Sequence, residues 1–179
     1  MSPSRRKFLT ATFAVGTAGI AGCVGSGDTP SGDQPNGDGN TTTDDGEEIH
    51  ASYETTEVSA ESDGKELGSV TAAIADTQDL RFTGLSNTKS LPEDRGMLFV
   101  FETADSRTFV MREMDFPIDI VYADVDGTIT EIHHAPEPGP NEDGENQRYP
   151  GFGQYVLEVN YDWTTDRGIE VGDRLVFDL

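Results

Sequence analysis

The stretch Thr108–Ile132, TFVMREMDFPIDIVYADVDGTITEI, decides the fold. Within it, Ile118 to Ala123 is a run of β-branched, aromatic and small residues carrying a single charge, the composition of a strand. Successive strand residues point to opposite faces, so Ile118, Ile120 and Tyr122 share one side and Asp119, Val121 and Ala123 the other. Both sides are largely apolar, which predicts a central strand with a layer against each face. Asp119 is then a carboxylate with poor access to water. Burying it unpaired costs on the order of several kcal/mol, so it is expected to acquire a cationic partner or to hold a proton. Arg81, Arg95 and Arg112 are the candidate partners. A bidentate arginine would lock Asp119 in place, or the pair would hold a carboxylate at the floor of a pocket.

Working outward, short runs rich in Val, Ile, Phe and Tyr recur about every ten residues, bounded by turn residues, which is an all-β signature. Strands are expected at Tyr53–Ser59, Ser69–Ala75, Met97–Phe101, Arg107–Arg112, Ile118–Asp124, Thr128–His134, Tyr155–Asn160 and Arg174–Asp178. Asp76 is expected to cap a short helix reaching Gly84, and a second lies near Tyr161–Arg167, stopped by Gly168. In YVLEVN, Val156, Glu158 and Asn160 face one way, so Glu158 is a second inward carboxylate candidate. Asp126-Gly127 between two strands reads as a tight hairpin turn. It is not a calcium loop, since the sixth-position glycine and twelfth-position glutamate of an EF-hand are both missing. The 19 residues from Ala135 to Gly153 hold four prolines and four glycines and read as a long loop, with Arg148, Tyr149 and Phe152 placed to fold over a ligand.

The chain has 179 residues, 34% of them hydrophobic, with 34 acidic against 12 basic residues. Three of those bases, Arg5, Arg6 and Lys7, precede Cys23, so the remainder is more acidic still. Such an excess repels phosphate and argues against nucleic acid as a partner. Carboxylates are spread throughout rather than gathered in one tail, a pattern that resembles the proteins of extreme halophiles, and most of them read as solvated surface. Cys23 is the single cysteine, so an internal disulfide is impossible.

Residues 1–22 and the cysteine that follows contain Ser4-Arg5-Arg6-Lys7-Phe8-Leu9, a mildly apolar stretch to Ile20, and Ile20-Ala21-Gly22-Cys23. This resembles a twin-arginine export signal ending in a lipobox, as in exported haloarchaeal-type lipoproteins. The resemblance implies cleavage before Cys23 and a lipid on its thiol, so that the membrane is reached through that lipid alone and the protein sits at the cell surface. Residues 23–52 are polar, acidic and glycine-rich and cannot bury enough apolar surface to order, so they read as a tether. Asn40-Thr41-Thr42 fits a glycosylation acceptor within it. Residues 53–179 form the expected folded domain.

Five blocks, IADTQDLRFTGLSN (74–87), RGMLFVF (95–101), TFVMREMDFPIDIVYADVDG (108–127), YVLEVN (155–160) and GIEVGDRLVF (168–177), resemble in order and spacing the domain-of-unknown-function family 192. The resemblance spans about Val70 to Leu179. It implies a compact, mainly β, jelly-roll-like barrel or sandwich with one or two short helices, and no particular activity. The family usually has Trp-Met-Lys-Asn where this chain has Val110-Met111-Arg112-Glu113, which adds Met111 to the site candidates. Ser86 and Asn87 replace a usual methionine and basic residue, and Tyr161-Asp162-Trp163 replaces a small residue and glycine.

No phosphate loop, dinucleotide fingerprint, nucleophile elbow or spaced metal-ligand set occurs, so no cofactor and no metal are expected. His133 and His134 are adjacent strand residues that point apart, and His50 lies in the tether. The first functional reading is a binding module for a small polar ligand or glycan, built on Arg81, Arg95, Met111, Arg112, Asp119 and Glu158. The alternatives are an envelope hydrolase using paired carboxylates, and a structural or assembly protein of the envelope.

Overall fold

Strand pairing accounts for most of the domain. A computed structural model describes residues 52–86 and 88–179; Cys23, Asn40 and the tether lie outside the described residues. Seven strands form one sheet in the order β5-β4-β6-β3-β2-β1-β7. They are β1 Thr55–Ser62, β2 Lys65–Ala75, β3 Arg95–Val110, β4 Ile118–Ala123, β5 Ile129–Ala135, β6 Arg148–Asn160 and β7 Arg174–Val176. Among the described residues two short helices accompany them, α1 Gln78–Thr83 and α2 Trp163–Arg167, with a 3-10 turn at Gly144–Asn146. The expected mainly β architecture is therefore present. Among the described residues no helix is long and apolar enough to cross a membrane.

The sheet curls until its ends meet. Leu175 N–H donates to Gly127 O (2.8 Å) and Ile129 N–H to Asp173 O (2.8 Å), joining the β4–β5 turn to the segment around β7. That turn is the expected tight one: Gly127 N–H donates to Asp124 O, and the Asp124 side chain accepts from the amides of Asp126 and Thr128. Gly127 has φ 81°, and a Cβ there would collide with the carbonyl oxygen of Leu175. Glycine is therefore needed both for the turn and for closure.

Curling gives the sheet an enclosed face and an outward one. The enclosed core takes Val58, Ala60, Val70, Leu98, Val121 and Leu157, with Trp163 of α2 packed among them. The outward face carries Met97, Phe99, Ile118, Ile120, Tyr122 and Val156 and is covered by Leu85 and Leu91 around α1 and by Met111 and Met114 after β3. All six residues of β4 are buried, as the two-sided apolar alternation predicts. β2 and β3 run parallel, so the chain must cross over between them, and that crossover contains α1. Thr77 rather than Asp76 caps α1, accepting from Leu80 N–H, and Gly84 ends it at φ 51°.

Three expectations need correction. Met97–Phe101 and Arg107–Arg112 are one long strand, β3, whose register against β6 shifts between Val100 and Asp105. The partner β6 starts at Arg148, so the connection is shorter than 19 residues and Arg148, Tyr149 and Phe152 belong to a strand, not a lid. Phe109 pairs with Tyr149, and Arg107 with Gly151. Finally, β1 and β2 extend to meet at a two-residue Asp63-Gly64 turn, both residues with positive φ, the geometry that suits a hairpin's twist.

Candidate functional site

Asp119 is fully buried, as its strand position requires, but none of the expected arginines pairs with it. One oxygen, Oδ2, accepts from Thr164 N–H (2.9 Å) and Thr164 Oγ1 (2.6 Å). The other, Oδ1, accepts from Asp162 N–H (3.1 Å) and lies 2.7 Å from His134 Nδ1. Asp162 sits at φ 63°, and this left-handed step turns the first amides of α2 toward the carboxylate. Two backbone donors and a hydroxyl satisfy the charge where a guanidinium was expected. The effect is to pin α2, and with it the buried Trp163, to β4. His133 turns the other way, its Nε2 2.7 Å from Pro150 O, so the two histidines do point apart. Among the described residues no group of three His, Cys, Asp or Glu side chains is placed to hold a metal ion.

Glu158 lies on the other face. It is in register with Ile120 of β4 and Met97 of β3, both outward-face residues, whereas Asp119 is in register with Val159 of the enclosed core. In-register neighbours share a face, so the two carboxylates point to opposite sides of the sheet. The expected convergence of Asp119 and Glu158 on one pocket does not occur. A hydrolase using these two as a pair is excluded with it.

Glu158 instead forms the floor of a pocket of about 370 Å³ between α1 and β3, a volume suited to a small ligand. Of the other candidates, Arg81 and Arg112 line this pocket with it, while Arg95, Met111 and Asp119 do not. Arg95 sits beside Asp94 (4.0 Å), and Met111 is fully buried in the outward-face core. Sequence reasoning missed Arg107, which also lines the pocket. The signal was present in the alternation of Phe99, Phe101, Arg107 and Phe109, but it is legible only once β3 is known to be continuous.

The electrostatics of the pocket are uneven. Glu158 is 5% exposed and has no hydrogen-bond or ion-pair partner among the described residues. Burial pushes its pKa up from 4.5 to about 8, so at neutral pH the carboxyl is mostly protonated. At the mouth stand three arginines. Arg112 stacks over Phe82 (4.3 Å to the ring centre) and is held by Glu145 (2.8 Å), while its carbonyl accepts from Ser86 Oγ. These contacts tie the end of α1 to the segment after β3. Phe82 is nonetheless 71% exposed, an aromatic side chain left at the open side of an apolar pocket.

A protonated carboxyl at the floor can both donate and accept a hydrogen bond, and the phenylalanines around it offer flat apolar surface. Arginines at the mouth supply positive charge in a chain that is otherwise strongly acidic. The arrangement can therefore hold a molecule with an apolar body and polar ends.

No curated protein matches the chain. Two solved structures are similar to it. One is a Sinorhizobium meliloti 1021 protein provisionally described as a transcription regulator, 26% identical, covering 70% of this chain and 95% of its own, with a TM-score of 0.62. The other is a protein of unknown function from Novosphingobium aromaticivorans DSM 12444, 25% identical, covering 68% of this chain and 84% of its own, with a TM-score of 0.58. A family model matches residues 58–177, two thirds of the sequence and nearly all of the described domain. The chain belongs to DUF192, the family described as "Uncharacterized ACR".

Proposed function

We propose that this protein is a lipid-anchored, extracytoplasmic binding module that takes a small polar ligand or glycan in the pocket between α1 and β3. The twin-arginine motif, the lipobox at Cys23 and the acidic tether support export and anchoring. Glu158 carries the binding part of the reading. A carboxyl side chain that is nearly fully buried, faces a pocket and has no partner in the protein is costly to keep, and a ligand hydrogen bond offsets that cost. The acidic excess counts against nucleic acid, so the regulator description of the Sinorhizobium relative is not carried over.

A thermal-shift screen of the full chain against sugars and envelope metabolites tests the reading. At least one compound should stabilise the wild type, with the effect reduced in E158L, which removes the donor and the acceptor at the pocket floor. If nothing in the screen raises the midpoint, or if E158L responds like the wild type, the pocket is not a binding site. Anchoring is tested separately: C23S should release the protein into the medium, and retention in the membrane fraction would contradict lipidation.

A further inference from the structure

Two of the arginines at the pocket mouth are held in an unusual way. Arg81 comes from α1 and Arg107 from the second half of β3, and both guanidinium groups lie over the ring of Phe101, at 5.0 and 3.6 Å from its centre. Like charges placed together repel. Burial lowers the pKa of Arg107, Asp105 partly restores it, and the charge on Arg81 lowers it again. With 34 acidic residues against 12 basic ones, carboxylate partners are easily supplied, and Arg112 has one in Glu145. Arg81 and Arg107 form no ion pair among the described residues.

Backbone carbonyls hold them instead. Arg81 Nη1 donates to Asp76 O and to Val100 O (2.8 Å). Arg107 Nε donates to Gly153 O (3.3 Å) and its Nη2 to Thr103 O. These bonds fix both groups in place yet leave Nε and Nη2 of Arg81 and Nη1 of Arg107 without an acceptor among the described residues. Two cations set in fixed positions on a shared aromatic ring, with donors to spare, form a preorganised anion receptor.

We infer that Arg81 and Arg107 form an anion subsite at the mouth of the pocket, which takes the carboxylate of a small organic acid whose apolar or aromatic body lies against the phenylalanines and whose far end meets Glu158. The inference rests on the binding-module reading and names its ligand class. The Nε–Nη2 edge of Arg81 is the fork that matches the two oxygens of a carboxylate. A phosphate dianion fits less well, because it would have to shed its hydration beside Phe82, Phe99 and Phe109. Glu158, at the closed end, is suited to a hydroxyl or amide on the same molecule.

The test uses the full chain at low ionic strength with three probes: 4-hydroxybenzoate, its uncharged amide 4-hydroxybenzamide, and inorganic phosphate. Affinities are read by calorimetry and the location of binding by amide chemical shifts. The acid should bind about tenfold more tightly than the amide, as expected for a fork-type charged contact. R81Q and R107Q should each remove that advantage with a smaller effect on the amide, R148Q should change nothing, and E158L, which removes both donor and acceptor at the floor, should weaken acid and amide alike. R81K, which keeps the charge without the fork, should recover only part of the loss.

If acid and amide bind equally and E158L weakens both, the anion subsite is wrong and the pocket reading stands. Phosphate binding as tight as that of the acid would overturn the assignment to organic carboxylates. If none of the probes moves the resonances of pocket residues, the subsite and the pocket reading both fall.

Discussion

Replacing Glu158 by glutamine should change how stability depends on pH, and the size of the effect follows from burial alone. The folded protein holds the Glu158 proton with a pKa of about 8, against 4.5 when the carboxyl is free in water. Between those values the folded state binds more protons at this site than the unfolded state, so stability falls as pH rises. Below pH 4.5 both states are protonated and there is no penalty; above pH 8 both are ionised and the penalty is complete. A shift of this size, at roughly 1.4 kcal/mol per pKa unit, amounts to about 5 kcal/mol across the window. The amide introduced by E158Q would mimic the protonated carboxyl at all pH values. Guanidinium denaturation of both proteins from pH 4 to pH 9 isolates the term, because every other titrating group cancels in the difference. The two should be nearly equal in stability at pH 4, with the variant about 4 kcal/mol or more ahead by pH 9. Parallel curves across this range would refute the reasoning, since they would mean that Glu158 ionises freely in the folded protein.

Three further outcomes follow from the packing. D119A leaves the buried amide and hydroxyl of Thr164 without an acceptor and frees α2 from β4. It should cost about 3–5 kcal/mol in denaturant unfolding, and a loss under 1 kcal/mol would show that Asp119 does not hold the helix. H134A removes only the partly exposed partner and should cost no more than about 1 kcal/mol, so a larger loss than that of D119A would reverse the assigned roles. G151A would place a methyl group 2.6 Å from the ring of Tyr122, a fully buried side chain whose hydroxyl donates to Tyr149 O. Overpacking there should cost roughly 1–3 kcal/mol, and a thermal midpoint equal to that of the wild type would contradict the close packing of β6 on β4.

The strand that decides the fold is legible because its apolar residues alternate on both faces, and β4 is buried throughout. Burial of Asp119 follows from the same pattern, but the identity of its partners does not. Every residue but proline carries a backbone N–H, so nothing in the sequence marks Asp162 and Thr164 as donors. The only local sign is the departure from the family pattern at Tyr161-Asp162-Trp163. Glu158 is legible as a charge on the same side as Val156, but its relation to Asp119 depends on register. Glu158 stands opposite Ile120 and not opposite Asp119, and that single-residue offset puts the two carboxylates on different faces.

The interruption in β3 hid the rest of the site. Ala104-Asp105-Ser106 is polar and turn-like, and RYPGFG opposite it has the composition of a loop, so each half of the long pairing concealed the other. The two glycines in that segment serve contact, not flexibility: Gly151 makes room for the Tyr122 ring and Gly153 for the carbonyl oxygen of Ala123. Once the two halves are joined, Arg107 falls into line with Phe109 and Phe101, and the mouth of the pocket is complete.

The proposed binding site depends on Glu158 being a neutral, unpartnered carboxyl at the floor of that pocket. Titrating the glutamate side-chain carboxyl carbons by NMR, with E158Q to identify the resonance, measures this directly. The signal should move with a midpoint near pH 8, while a midpoint below about 5 would show an ordinary solvated or ion-paired carboxylate and contradict the site.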